Sequence, residues 1–410
     1  MSKPIINKFR NGFTVGFIPE HGLGSVTIQL RGLAGSNYEN KKQIGCAHIV
    51  EHLSIENSNK NKVLEVGGKI IGVTSRDDVL FMVRVLKKDF SLGIDYLFTL
   101  LNSYYFKEES FEVQKKIAIE EIKRFSSIPE KLIGRLSYKN CYPKSRLAEF
   151  NTGNLEDMKN LRLSDVLEFK KKYYKAGNFC LTVAGDLRPQ QVISKCMSRF
   201  GLLPTSLRSA TLQHKKDKRL RIKNYVSKYY EQTHLEISYY GYLSSESKKF
   251  SSEVLAKLFD NYLKNKVRAQ KGYAYNINCG SFSSQTFGTF TIYAGLNKKN
   301  IRDIMEILKN IINNPQILIN EKDIEIAKNQ IISELIFNYE KTSYKTEYYS
   351  HLILLGFLKQ TFDYELLSIE KVNESSLYEV FKEVFRQNPK ITVLSDSDHT
   401  KVIKKLLPML

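Results

Sequence analysis

Hydrophobic and polar residues alternate in short stretches that predict β-strands, and longer stretches with apolar residues every three or four positions predict helices between them. An Asn11-Gly12 pair with alternation on both sides predicts an early hairpin. The further predicted strands are 25–30, 79–85, 179–184, 234–239 and 289–294. The predicted helices are a helix around 48–52, then about 89–103, 108–124, 252–268 and 300–313.

The second half of the chain repeats the pattern of the first. Leu86-Lys87-Lys88-Asp89 and Leu296-Asn297-Lys298-Lys299-Asn300 each follow a predicted strand and open a predicted helix, which indicates an internal duplication. We therefore predict an α+β fold with two homologous α/β sandwich domains, each a sheet covered by helices. A shift in composition sets the boundaries: the predicted domains are residues 1–205 and 225–410, joined by a basic linker at 206–224.

The composition is that of a globular chain, with 42% hydrophobic and 26% charged residues among 410. We expect no membrane span, because no apolar run approaches the ~18 residues that a spanning helix needs. Residues 1–8 lack the apolar segment of a signal peptide, so a cytoplasmic location is expected. The five cysteines are scattered without a C-x-x-C pair, which favours reduced, mostly buried thiols.

The formal net charge of +20 admits three partners: nucleic acid, an anionic membrane surface or an acidic peptide. Most basic residues are interspersed with acids, which favours solvated faces, and the densest run, 215–221, lies in the predicted linker. No zinc finger, RNP-type aromatic motif or basic recognition helix is apparent, so no nucleic-acid partner is expected. Attraction for an acidic peptide remains as the second interpretation.

His48-Ile49-Val50-Glu51-His52 carries the strongest chemical signal, in a chain with seven histidines. On a helix, His48 and His52 are an i, i+4 pair and project from one face, where both imidazoles can bind one zinc ion. Glu51 lies beside them, where a general base for an attacking water is needed. The order H-x-x-E-H is the inverse of the H-E-x-x-H zincin motif and belongs to the inverzincins.

A catalytic zinc site needs a third protein ligand, and two adjacent carboxylates at 120–121 are the candidates. On a helical projection Glu121 falls near the edge of the apolar stripe, whereas Glu120 points nearly opposite. We therefore predict Glu121 as the ligand and a solvated position for Glu120.

These motifs resemble the insulinase, pitrilysin and mitochondrial-processing-peptidase family of zinc metallopeptidases, in its short two-domain bacterial form. The resemblance covers nearly the whole chain. Its segments in the first half are 35–39, 45–53, 67–68, 74–77, 119–122, Asn178 and 184–186. In the second half, 268–275 is similar to the family's Arg…Gly-Leu-Ala-Tyr segment.

The resemblance implies one Zn²⁺ per chain, held by His48, His52 and Glu121, with Glu51 as the base. It also implies that Arg268 and Tyr275 bind substrate and stabilise the transition state. An edge strand that includes Gly72 and Thr74 is expected to pair with an extended peptide. Short members of the family pair two chains into a clamshell around a closed chamber, so we expect a homodimer or a heterodimer with a related subunit.

Three departures from the family pattern concern the surroundings of the site. His52 and Glu121 are 69 residues apart, about seven fewer than is usual, and the missing length lies between Leu53 and Gly67. Ile71 replaces a common Asn, and Gln114 stands where an auxiliary Glu is common. The loss of that carboxylate is expected to weaken support of the zinc ligands.

The expected function is hydrolysis of short unfolded peptides by a zinc endopeptidase, with removal of a leader from a bacterial peptide as one role. The alternative is a non-catalytic or partner-dependent subunit of a heterodimeric peptidase of the same family. A basic nucleic-acid-binding protein is the more distant rival.

Overall fold

The computed structural model describes residues 4–406 and shows an α+β architecture with two compact units, as predicted. The first unit contains residues 4–123, 150–212 and 336–363. The second contains residues 124–149, 213–335 and 364–406. Each unit is built on one β-sheet.

The strands are β1 (Ile5–Lys8), β2 (Thr14–Pro19), β3 (Ser25–Gly32), β4 (Lys69–Thr74), β5 (Val79–Leu86), β6 (Phe179–Gly185), β7 (Arg221–Val226), β8 (Thr233–Tyr240), β9 (Ala274–Ser283), β10 (Gly288–Leu296) and β11 (Lys390–Ser395).

The helices are α1 (Cys46–Glu56), α2 (Lys60–Glu65), α3 (Phe90–Asn102), α4 (Glu108–Ser126), α5 (Pro129–Cys141), α6 (Leu155–Asn160), α7 (Leu163–Tyr173), α8 (Pro189–Phe200), α9 (Lys248–Leu263), α10 (Ile301–Asn313), α11 (Glu321–Tyr339), α12 (Thr342–Leu355), α13 (Phe362–Glu370), α14 (Glu374–Phe385) and α15 (Thr400–Leu406).

Apart from β1, an additional edge strand of the first sheet, the two sheets have the same strand order, which supports the predicted duplication. The first sheet has the order β1-β2-β6-β3-β5-β4, and the second has the order β7-β11-β8-β10-β9. In both, one pair is parallel (β2 with β6, β7 with β11) and the pairs that follow towards β4 or β9 are antiparallel. Strand β4 is an edge of the first sheet, and β9 is the matching edge of the second.

Each unit contains one helix from the opposite half of the sequence. Helix α12 packs on β2, β3 and β6 in the first unit, and α5 packs on β8 and β11 in the second. The predicted domains were continuous ranges, 1–205 and 225–410, whereas the compact units exchange these two segments. The exchange of α5 and α12 depends on packing between segments far apart in sequence, so neither periodicity nor composition predicts it.

The first sheet has one apolar face and one polar face. Val26, Ile28 and Leu30 of β3 are buried in the main hydrophobic core, where α1, α3 and α8 also pack. The alternate residues face α12 through hydrogen bonds: the Thr27 and Thr342 hydroxyls lie 2.8 Å apart, and Gln29 Nε2 donates to Ser350 Oγ at 2.8 Å. The period-2 pattern of a strand therefore supports two different layers.

The second unit follows the same plan. Leu235, Ile237 and Tyr239 of β8 are buried in an apolar core with α9 and α14. On the other face, the hydroxyls of Ser137 on α5 and Ser238 lie 2.8 Å apart. Burial on this face raises the pKa of Glu236.

The state of the cysteines and the character of the helices were both predicted from composition. All five cysteines are free and buried, as expected. Within residues 4–406, no helix has both the length and the apolar character needed to cross a bilayer.

Lys170 is an unusual member of the first core, because its side chain is completely buried. Its Nζ donates to Ser54 Oγ at 2.8 Å and to the Leu100 carbonyl at 3.0 Å, and it lies over the ring of Phe106. Burial lowers the pKa of Lys170 to about 7. The ammonium therefore joins α7 to α1 and α3 at a cost in desolvation.

We predict that Lys170→Met changes how stability depends on pH. Between pH 7 and about 10.5, the unfolded chain holds a proton on Lys170 that the folded chain has released, so this residue makes stability rise with pH. Relative to the wild type, Lys170→Met should be most stable below pH 7 and should lose that advantage towards pH 10. Urea unfolding at pH 6.5, 8 and 9.5 measures this. Lys171→Met, at an exposed neighbour, is the control, and a difference that is constant with pH would contradict the prediction.

Candidate metal and catalytic site

Helix α1 begins at a turn that is held by a buried carboxylate. Gly45 precedes the helix with φ of 92°, in the left-handed region that favours glycine. The carboxylate of Glu39 accepts hydrogen bonds from Gly45 N at 3.1 Å and Ala47 N at 2.8 Å. These amides would otherwise lack partners at the helix start, where a negative charge is also favoured by the helix dipole.

The structure brings His48, His52 and Glu121 together as predicted from their positions on α1 and α4. The Nε2 atoms of His48 and His52 lie 3.3 and 3.7 Å from Glu121 Oε2, and the candidate ligand atoms are all within 4.8 Å of one another. Tetrahedral zinc with bonds of about 2.1 Å requires ligand atoms roughly 3.4 Å apart. The donor set and its spacing therefore fit a zinc ion, and in the described part of the chain no other group of His, Cys, Asp or Glu meets this criterion.

Glu121 and Glu120 differ as the helical projection predicted. The Glu121 side chain is 36% exposed and faces the two imidazoles. The Glu120 side chain is 70% exposed and pairs with Lys123 at 2.7 Å. Only Glu121 is positioned to bind a metal with the histidines.

Of the two histidines, His52 has the side-chain hydrogen bond that orients its ring, and within residues 4–406 His48 does not. Burial and the neighbouring His48 lower the pKa of His52 to about 4, so its ring is neutral at pH 7, as a metal ligand must be. The side chain of Gln114 hydrogen-bonds to His52. In contrast, His48 Nδ1 is buried without a hydrogen-bond partner among the described residues. Gln114 thus orients one imidazole without adding the charge of a carboxylate.

Glu51 is buried next to strand β4. Thr74 Oγ1 donates to Glu51 Oε2 at 2.6 Å, and the Thr74 carbonyl accepts from Asn151 Nδ2 at 2.9 Å. Burial raises the pKa of Glu51, while His48 and the Thr74 hydrogen bond oppose the shift. A Cβ atom on Gly72 would lie 2.5 Å from Glu51 Oε1 and 2.6 Å from Ile55 Cδ1, so any side chain at this position of β4 would force Glu51 and Ile55 to move. A carboxylate with raised proton affinity, fixed beside the candidate metal ligands, suits a general base.

Arg268 and Tyr275 belong to the second unit, so their predicted roles remain predictions. Helix α9 is followed by a π-helical segment, Lys264–Gln270, and Arg268 is exposed on it. Tyr275 lies on the edge strand β9 and is 72% exposed. The predicted helix at 252–268 thus changes its winding after Leu263, and such segments are frequent at functional sites.

Two residues that support the site, Glu39 and Asn151, were not predicted from the sequence. Glu39 lay in a segment that resembled the family, but its contact with the start of α1 depends on the intervening loop. Asn151 is 77 residues from Thr74 in sequence, and no spacing rule links them. An acidic residue shortly before the zinc helix was the one available signal.

The fold and the cluster define a class: two duplicated α/β units, one of which presents an H-x-x-E-H helix and a carboxylate from a second helix, as in inverzincin peptidases. Two family models match the chain. "Insulinase (Peptidase family M16)" matches residues 21–150, and "Peptidase M16 inactive domain" matches residues 160–331. The chain belongs to peptidase family M16, the insulinase family.

Known relatives agree with this assignment. A protein of Rickettsia felis named as an uncharacterized zinc protease is 26% identical over 355 residues, which is 83% of this chain and 85% of the relative. The beta subunit of bovine mitochondrial-processing peptidase is 22% identical over 189 residues, 44% of this chain and 39% of that protein. The crystal structure of a protease from Helicobacter pylori has the same fold, with a TM-score of 0.88, 18% identity and coverage of 96% and 99% of the two chains.

We predict that Glu39→Ala destabilises the protein by about 1–2 kcal/mol, because two amides at the start of α1 lose their acceptor. Zinc affinity should also fall, since α1 carries both imidazoles. Thermal unfolding and zinc titration measure the two effects. Glu120→Ala removes an exposed carboxylate and should leave both within about 0.5 kcal/mol of the wild type. Equal effects of the two substitutions would contradict the role of Glu39.

Proposed function

We propose that this protein is a zinc endopeptidase that hydrolyses short unfolded peptides. The observation that supports it is the convergence of two imidazoles and one carboxylate at the spacing of a tetrahedral zinc site, with a buried carboxylate, Glu51, beside them. His48, His52 and Glu121 would hold one Zn²⁺ per chain. Zinc bound there lowers the pKa of a water ligand and polarises a peptide carbonyl.

Glu51 is the general base in this proposal. It accepts the proton of the attacking water and passes it to the leaving amine, and its raised pKa favours both the uptake and the holding of that proton. The hydroxyl of Thr74 fixes one oxygen of Glu51 and leaves the other directed towards Gly72. The strand edge at Gly72 and Thr74 would pair with the extended substrate and bring its carbonyl to this base.

Arg268 and Tyr275 are the proposed substrate-binding and oxyanion-stabilising residues. Arg268 would bind the substrate backbone, and the Tyr275 hydroxyl would donate a hydrogen bond to the oxygen that gains charge. Both side chains are exposed, so they are accessible to a peptide or to a second chain. A clamshell of two chains around a closed chamber would admit unfolded peptides and exclude folded proteins. A role in removing an acidic leader would suit the +20 charge.

The alternative is a non-catalytic or partner-dependent subunit. Part of the chain matches a model named for an inactive domain, but that match begins at residue 160, after all four groups of the proposed centre. The model that spans those groups is the insulinase model. These observations favour the catalytic proposal.

We predict that Glu51→Gln keeps zinc and abolishes hydrolysis. The amide has nearly the same shape and can still accept from Thr74, but it cannot take a proton, so kcat should fall by at least about 10²–10⁴-fold. Zinc content and cleavage of unstructured peptides are measured on the same preparations. Glu120→Gln is the matched control on the exposed face of α4. Retention of full activity by Glu51→Gln would refute the assignment of the base.

A mixing experiment tests whether two copies of this chain share their sites. Glu51→Gln and Tyr275→Phe should each be nearly inactive alone. If Tyr275 acts on the partner's cluster, a mixed dimer contains one centre with both wild-type residues, so activity should return after subunit exchange. Sedimentation of the same mixtures reports the oligomeric state. Dimers that exchange subunits without recovery of activity would show that Tyr275 does not act across a homodimer.

A further inference from the structure

Helix α4 exposes two apolar side chains beside Glu121, the third residue of the candidate zinc site. Val113 is 53% exposed and Ile117 is 43% exposed. They precede Glu121 by eight and four residues, so the three side chains follow one stripe along the helix. The apolar residues that pack in the core, Phe111, Ala118 and Ile122, lie on a different face. Packing within the first unit therefore does not account for Val113 and Ile117.

Helix geometry places Ile117 next to Glu121 on the solvent side. Four residues correspond to about 6 Å along the axis and about 40° around it. Gln114, on the buried side of the same carboxylate, contacts His52. Along α4, Glu121 therefore has the buried polar side chain of Gln114 on one side and the exposed apolar side chain of Ile117 on the other.

We propose that Ile117 and Val113 form an apolar wall that selects substrate side chains on one side of the cleaved bond. This inference rests on the proposed peptidase function and adds a preference to it. With a peptide carbonyl at the candidate zinc site, the side chain of an adjoining residue lies within about 4–7 Å of it, and helix geometry separates Ile117 from Glu121 by about 6 Å along α4.

The spacing of the two side chains fits an extended peptide. Val113 and Ile117 are about 6 Å apart along α4, and alternate residues on one face of an extended chain are about 6.6 Å apart. Two apolar substrate residues, separated by one residue of any type, therefore match the wall. Burial of an apolar side chain against it excludes water on both surfaces, whereas a charged one loses hydration without a partner.

The test is a set of unstructured peptides in which each position in turn is Leu, Asn, Asp or Lys. The zinc-loaded wild type should favour Leu over Asn or Asp by about ten-fold in kcat/KM at two positions, two residues apart. Ile117→Asn should reduce the preference to below about two-fold at the position nearer the bond, and Val113→Asn at the other. Ile117→Leu should retain it.

Controls separate a change in selectivity from a damaged site. Met197, 45% exposed on α8, which packs on β2 away from edge strand β4, gives the matched substitution Met197→Asn, which should alter no preference. Zinc content should be equal in all variants. Unchanged selectivity in Ile117→Asn would overturn the proposal. If that variant also dissociates into single chains, the apolar stripe on α4 is a contact between subunits.

Binding distinguishes failure of this inference from failure of the proposed function. The same peptides are titrated by fluorescence anisotropy into zinc-loaded Glu51→Gln and into the double variant with Ile117→Asn. If the wild type cleaves nothing but the tighter binding of Leu peptides depends on Ile117, the peptidase proposal fails and the apolar wall stands. If cleavage occurs and neither rate nor binding depends on Ile117 or Val113, the wall is refuted and the peptidase proposal is untouched.

Discussion

The candidate site of the first unit depends on one geometric requirement, the roughly 3.4 Å separation that a tetrahedral metal would need between its ligand atoms. A single helix satisfies it for two imidazoles, but the third ligand must come from another element. Helices α1 and α4 supply these groups, and buried polar contacts hold the two helices to each other and to their surroundings. Glu39 fixes where α1 begins, Lys170 joins α1 to α3 and α7, and Gln114 joins α4 to His52.

The parts of the site that follow from local periodicity were predictable from the sequence. The pair His48 and His52 needs only helical spacing, and Glu121 was distinguished from Glu120 by its place on an amphipathic helix. The strands that alternate strongly, such as β3 and β5, were also predicted, as were the duplication and the α+β class. These features depend on residues within a few positions of one another.

The remaining features depend on contacts between distant segments. The exchange of α5 and α12 between the units, the hold of Asn151 on Thr74 and the closeness of Gly72 to Glu51 have no signature in a single sequence. The π-helical turn was missed because local propensity favours a continuing α-helix over Lys264–Gln270. Strand β9 was missed because its register against β10 is set by tertiary pairing.

The exchanged helix α12 has a consequence for how the chain is made. Thr27 pairs with Thr342, which lies 315 residues later in the sequence. The first sheet is therefore translated long before the helix that covers one of its faces. From the last strand of that sheet to the end of α12, synthesis takes roughly 8–35 seconds at 5–20 residues per second. An apolar face exposed for so long would invite aggregation. A face of Thr27, Gln29 and Thr182 stays hydrated during translation and exchanges water for two hydroxyls and the Thr346 carbonyl of α12 at the end.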